Sequence, residues 1–470
     1  MAKKSRRKKG NKSDDVADEV DYLSECHTVA TLGSVTSNNT GGNDSSLNDD
    51  AWEMDDDDFF VEGGGETPAK SQLRQEKFLE CLETLHDFPS EKRSTRREAM
   101  LKMWFKGLTQ YATESQMVEA LRDELVQNCC QTHGLKGSPA EQYASCRVLE
   151  ATAILIGSDE YYESIQVHLR RVIQSSHRAI PVRVAALKAL GMAVFIGVDD
   201  DVITEDILDL CEALAQTEYR GSTTPLPLRA TALDVWTLLA TTIHELYVAG
   251  KDDVSTGRGL HLFPTLLECL EQEDDLTLRV AAGECVAWIH TARVALGNHD
   301  GDATTQKYAP GTWEGSEWED IVAEIEIVME ELSNQSGHYM SKKAKKEQRA
   351  NFREYLSTLQ DNEAPIHVVQ FRGGSLELTS WRDIIALNYT RRCLQGGFQI
   401  QLLTNPILQV IFGAHGETLA AHGTYSQLEK RLILSKASEA SKAKDMDRSK
   451  KRRNRTNAKN HFLTADGDDI

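Results

Sequence analysis

The chain has 470 residues, 40% of them hydrophobic and 27% charged, with a formal net charge of −20 and nine cysteines. That length suits two or three ordinary domains or one extended repeat array. No apolar run approaches the roughly 20 residues that cross a bilayer, and scattered cysteines with no C-x-x-C pair exclude a disulfide framework or cysteine zinc site.

The first residues, Met1-Ala2-Lys3-Lys4-Ser5-Arg6-Arg7, are basic and continue into polar sequence, unlike a secretory signal. The chain is therefore expected in the cytoplasm, with the nucleus as a second compartment, its thiols reduced and no membrane partner. Charge is far from uniform. Residues 3–12 hold seven basic side chains and no acid, residues 13–66 hold sixteen acids and neither Lys nor Arg, and residues 436–459 hold ten basic side chains against three acids. Such asymmetry speaks of partners more than of fold.

Residues 1–68 read as a disordered basic-then-acidic arm, in which Asp55, Asp56, Asp57 and Asp58 repel one another. From about Gln72 to Gln360 the apolar spacing is helical, as in the stripes Phe78, Leu79, Leu82, Leu85 and Ile207, Leu208, Cys211, Leu214. Five segments share one frame: Arg97-Glu-Ala-Met-Leu-Lys-Met-Trp104, Gln142-Tyr-Ala-Ser-Cys-Arg-Val-Leu149, Arg183-Val-Ala-Ala-Leu-Lys-Ala-Leu190, Arg229-Ala-Thr-Ala-Leu-Asp-Val-Trp236 and Arg279-Val-Ala-Ala-Gly-Glu-Cys-Val286. A polar residue, usually Arg, leads, small residues follow, and a hydrophobic stripe completes the unit. The anchors stand 45, 41, 46 and 50 residues apart, close to the period of armadillo and HEAT units. Amphipathic helix pairs of this kind bury their apolar faces by stacking. Pro181, Pro225 and Pro227 stand just before their expected helices, where a missing N–H costs little.

Residues 297–315 read as a loop, and helix resumes near Glu317 and again over 340–359. His367-Val-Val-Gln-Phe371 and Leu376-Glu-Leu-Thr-Ser-Trp381 form an expected hairpin, followed by helices over 383–394, 405–412 and from Tyr425. The expected fold class is all-α: an armadillo/HEAT-like array over 69–361, a small α+β C-terminal domain over 362–435 capping it, and a basic helix and tail over 436–470.

Catalytic motifs are missing: there is no phosphate loop, dinucleotide fingerprint, nucleophile elbow or zinc-protease helix. His290 beside Cys285 reads as core packing. The chain is expected to be a binding protein without cofactor or metal, not an enzyme.

Two cationic clusters remain. Lys436, Lys442, Lys444, Arg448, Lys450, Lys451, Arg452, Arg453, Arg455 and Lys459 lie within 24 residues, with Ala437, Ala440 and Ala443 favouring helix. A helix of that length reaches roughly 36 Å and would bind phosphates in a sequence-blind, salt-sensitive way. The string from Lys450 to Arg455 reads equally well as a nuclear-localisation signal. Lys342, Lys343, Lys345, Lys346, Arg349 and Arg353 form the second cluster, where positions 342, 346, 349 and 353 share one helical face. A wet helix surface is the plain reading of such a run; in so acidic a chain a one-sided basic stripe points to ribosomal RNA or an acidic partner.

The chain resembles the interferon-related developmental regulator family. Carrying the likeness are Leu278-Arg-Val-Ala-Ala-Gly-Glu284, the run Ser341-Lys-Lys-Ala-Lys-Lys-Glu-Gln-Arg-Ala-Asn-Phe-Arg353, the hairpin ending at Trp381, Gly396-Gly397-Phe-Gln-Ile400, Asn405-Pro-Ile-Leu-Gln-Val-Ile-Phe412 and the basic Ala-rich end over 436–453. The likeness spans roughly 75–455 and leaves the acidic N-terminal segment outside. It implies an armadillo-like array that binds ribosomes lacking active translation, with the basic C-terminal helix in the messenger RNA path. Ribosomal RNA and ribosomal proteins are the implied partners. Transfer RNA on the ribosome and nuclear transcription or chromatin factors are further candidates, the latter with the chain as a nuclear protein-interaction scaffold and co-regulator.

Overall fold

The computed structural model describes residues 68–112, 115–250, 257–272, 275–299, 318–334, 342–371 and 374–413. Within these, each of the five shared segments lies on one long helix: α2 (Ser94–Lys106), α5 (Pro139–Ile156), α7 (Ile180–Gly197), α9 (Leu226–Ala240) and α12 (Leu276–His299). The small third and fourth positions, such as Ala185, Ala186, Ala281 and Ala282, are buried where these helices pack side by side. An outer layer packs against them: α6 (Asp159–Gln174) on α7, α8 (Asp201–Ala215) on α9, α11 (Arg258–Leu270) on α12, and α13 (Glu319–Asn334) beside α11. Helices α5 and α9 are buried nearly all round, whereas α6 and α8 bury one stripe. The result is an all-helical repeat array of two stacked layers around one continuous core.

The array opens with α1 (Pro68–Leu82), and two short helices, α3 (Ser115–Glu119) and α4 (Arg122–Val126), precede α5. A short hairpin, β1 (Glu218–Tyr219) and β2 (Ser222–Thr223), links α8 to α9, and α10 (Glu245–Ala249) precedes α11. Then come α14 (Lys342–Asp361), the antiparallel pair β3 (His367–Phe371) and β4 (Gly374–Leu378), and α15 (Trp381–Leu394), α16 (Phe398–Thr404) and α17 (Pro406–Ile411).

The leading arginine of the frame has a structural explanation. Arg183 Nε donates to the Ile173 carbonyl at 2.8 Å and Arg229 Nε to the Ala215 carbonyl at 2.7 Å, at the ends of α6 and α8. Arg97 Nη1 reaches the Glu91 carbonyl at 2.8 Å. Each buried guanidinium thus satisfies C-terminal carbonyls of the preceding segment and opposes the negative end of its helix. In the fifth unit the stripe position is Gly283, because a Cβ there would meet the Tyr355 ring of α14 at 2.6 Å. Helix α7 has the length and apolarity of a membrane span, yet most of it is buried between α5 and α9.

Several boundaries differ from expectation. Helix α12 runs to His299, into the segment read as loop. The second strand ends at Leu378, because the Ser380 hydroxyl accepts from Asp383 N at 3.2 Å and Trp381 starts a helix. Helix α16 and the β1–β2 hairpin had no clear periodic signal. Residues 381–412 do not sit on the end of the array: α15 crosses α12, α9 and α5, and α16 and α17 reach back to residues 107–111 and to α5. The arm over 1–67, the remainder of the 297–315 loop, the helix from Tyr425 and the tail over 436–470 fall outside the described residues.

All eight cysteines among the described residues are unpaired and buried. Burial pushes the Cys130 thiol up to about 12 and Cys269 to about 11. These eight thiols should therefore resist maleimide in the folded chain at pH 8 and react orders of magnitude faster in 8 M urea. Mass-spectrometric mapping checks this, and prompt native labelling of any of them would contradict it.

Candidate nucleic-acid interface

Helix α14 carries the second cationic cluster and is firmly seated. Phe352, Tyr355, Leu356 and Leu359 are buried against α12 and α13. Gln348 Nε2 donates to the Leu332 carbonyl at 2.9 Å near the end of α13, and the Tyr355 hydroxyl to the Val280 carbonyl at 3.3 Å. On the other side, Trp381 Nε1 donates to Thr358 Oγ1 at 2.9 Å, joining α14 to the start of α15. The charged face is therefore held by packing and need not order itself when a partner arrives.

Of the predicted residues, Lys346 and Arg353 are exposed, while Lys345 and Arg349 are half-buried. Lys342 and Lys343 open the helix, and their side chains are outside the described set. Buried Gln348, Phe352 and Tyr355 lie to one side, so positions 346, 349 and 353 form a stripe flanking the packed face. Two further basic residues, Arg391 and Arg392 of α15, are engaged within the fold. Arg391 stacks over Phe398, its guanidinium carbon 5.4 Å from the ring centroid, and Arg392 Nη1 pairs with Asp234 at 2.9 Å. The ten cationic residues from Lys436 to Lys459 fall outside the described residues.

A second charged line had a sequence signal that went unread: the sixth position of the frame is charged in all five units, as Lys102, Arg147, Lys188, Asp234 and Glu284. Helix α15 lies along four of them. Arg147 Nη2 donates to the Cys393 carbonyl at 2.9 Å and the Arg392 carbonyl at 3.3 Å, while its Nη1 pairs with buried Glu150. The Tyr389 hydroxyl donates to the Lys188 carbonyl at 3.1 Å, Arg392 takes Asp234, and Asn388 Nδ2 donates to Glu284 Oε1 at 3.1 Å. The inner groove is thus filled by the chain itself. Further along, Gln401 Nε2 donates to the Ala112 carbonyl at 2.8 Å and Asn405 Nδ2 to the Ile154 carbonyl at 3.1 Å.

Comparison with known proteins places the chain among relatives. The model of the interferon-related developmental regulator family matches residues 39–360, more than half of the chain. The chain belongs to that family. Relatives include interferon-related developmental regulator 1 of Mus musculus, 25% identical over 374 residues and 76% of each chain, and its Homo sapiens counterpart, 24% identical over 374 residues. Interferon-related developmental regulator 2 of Mus musculus is 25% identical over 371 residues, covering 74% of this chain and 76% of its own. The family match begins within the acidic segment, earlier than residue 75, and ends at 360. It takes in nearly all of α14 but stops before the β3–β4 hairpin, α15 and the basic end.

Proposed function

We propose that this chain is a ribosome-associated regulator of translation, touching ribosomal RNA with the α14 stripe and occupying the message path with the basic segment over 436–459. The observation that carries the reading is the α14 stripe: Lys346, Arg349 and Arg353 project from one side of a helix packed into the array of a chain whose net charge is −20. Against so negative a background a pre-positioned cationic stripe draws in phosphates and displaces their counterions, with affinity falling as salt rises. Family membership supports a regulatory role, since the relatives are named as regulators. A nuclear scaffold gripping a partner peptide in the inner groove fits less well, because α15 already fills it.

The test is sucrose-gradient sedimentation of the tagged full chain from lysate at physiological salt. One variant carries Lys346→Glu with Arg353→Glu; a second reverses Lys450, Lys451, Arg452 and Arg453 to Glu. The parent chain should travel with ribosomes, the first variant should lose at least about tenfold of the bound fraction, and the second should remain at the top. Undiminished co-sedimentation of both variants would sink the proposal, as would a parent chain that never leaves the top fractions.

A further inference from the structure

Arg183 of the repeat frame lacks what two of its counterparts have. Arg97 pairs with Glu141 and Arg229 pairs with Glu268, whereas no carboxylate lies within ion-pair distance of Arg183 among the described residues. Arg183 is only 7% exposed, and its described bond is to the Ile173 carbonyl. Burial draws its pKa down from the ordinary guanidinium range, with Tyr219 acting weakly the other way. A buried cation without a counter-charge is expensive, and folds keep one where something compensates it.

Where the counter-charge would stand there is a cleft of about 300 Å³, bounded by the loop before α7 and the β1–β2 hairpin. Its lining includes Arg183, Arg220, Ser176, Ser222, Thr223 and Thr224, and no carboxylate. Thr224 is 4% exposed, and its Oγ1 is buried without a hydrogen-bond partner. Above the cleft stands Arg220, in the left-handed region with φ 51°, followed by Gly221 with φ 75°. A two-residue turn with both φ values positive normally takes Asn-Gly, so an arginine there is held at a conformational cost. Its guanidinium lies 5.3 Å from the Tyr219 ring centroid, and its Nη1 donates to Gln174 Oε1 at 3.2 Å. Helices α7 and α9 both begin at this cleft without a side-chain cap, which adds positive potential.

We propose that this cleft binds the phosphoryl group of a phosphoserine or phosphothreonine side chain presented by a peptide. Two guanidinium groups and four hydroxyls offer more donors, from more directions, than the two oxygens of a planar carboxylate accept. A tetrahedral phosphoryl group with three terminal oxygens matches them. A peptide monoester is favoured over nucleic acid because the two arginines line one small cleft instead of marking a track for successive phosphates.

The experiment uses the full chain and its Arg220→Asn variant, chosen because Asn tolerates the left-handed turn. Inorganic phosphate, a phosphoserine peptide and the unphosphorylated peptide are titrated by calorimetry at fixed ionic strength. Phosphate and the phosphopeptide should bind the parent chain and compete with each other, the plain peptide should not bind, and Arg220→Asn should weaken both by at least about tenfold. Thr224→Val should weaken them as well, with an unchanged circular dichroism spectrum. Equal affinity in parent and Arg220→Asn would overturn the site. A single-stranded oligonucleotide lacking terminal phosphate that displaced phosphate, where the phosphopeptide did not, would overturn the assignment to a peptide.

Discussion

Replacing Arg147 by Met should lower the stability of the chain by about 3–5 kcal/mol, the cost of leaving a buried charge without its partner. Arg147 is 1% exposed on α5, where it pairs with Glu150, itself 1% exposed, and lies over the Phe105 ring at 5.0 Å. The same guanidinium satisfies two carbonyls at the end of α15, about 245 residues away in sequence. Methionine would fill most of the volume but leave a buried carboxylate without its counter-charge and two helix-end carbonyls without the guanidinium donor. The double variant Arg147→Met with Glu150→Gln should recover part of the loss, since the orphaned charge is gone while the carbonyls remain unmet. Urea unfolding followed by circular dichroism measures the midpoint, and hydrogen exchange of the α15 amides reports whether that helix loosens first. A single variant as stable as the parent would show that α15 is not held by this contact.

The second large effect is on pH. Glu284 is 8% exposed, and burial raises its pKa to about 7, with nearby Asp234 adding to the rise and Arg392, Asn388 and His367 opposing it. An unfolded glutamate ionises near 4.5. Between those two values the folded chain therefore holds a proton that the unfolded chain has released. The stability this group supplies is complete below about pH 4.5 and is lost as pH rises through about 7. Glu284→Gln removes the titration and keeps an oxygen for the Asn388 amide. The variant should match the parent at pH 4.5 and exceed it at pH 8 by up to about 3 kcal/mol, the ceiling set by a shift of that size. Urea midpoints of both chains from pH 4.5 to 8 check this. Parallel curves would show that the carboxyl is ionised throughout.

Both effects arise where α15 meets the sixth position of the frame, a place only half visible in the sequence. The five-unit register was legible because helix periodicity is local: a small residue at the third or fourth position and the stripe that follows appear in every unit. The same register revealed that a leading arginine recurs, though not that Arg183 and Arg229 end the preceding helices. The basic stripe of α14 was legible for the same reason, since positions 346, 349 and 353 lie one and two turns apart.

What the sequence by itself determined, then, is the repeat class, the order of its five inner helices and one cationic face. The tertiary structure alone decided that α15 to α17 run back along the inner groove instead of capping the array. Charged residues at one position in successive helices have no visible purpose in the sequence until a distant helix supplies Asn388, Arg392 and the Cys393 carbonyl to meet Glu284, Asp234 and Arg147. Arg183 and Arg220 stand 37 residues apart and join at one cleft only because a tight turn folds the hairpin back over the start of α7. Period and propensity are set by neighbours in the chain, whereas the partner of a buried charge is set by whichever segment the packing brings to it.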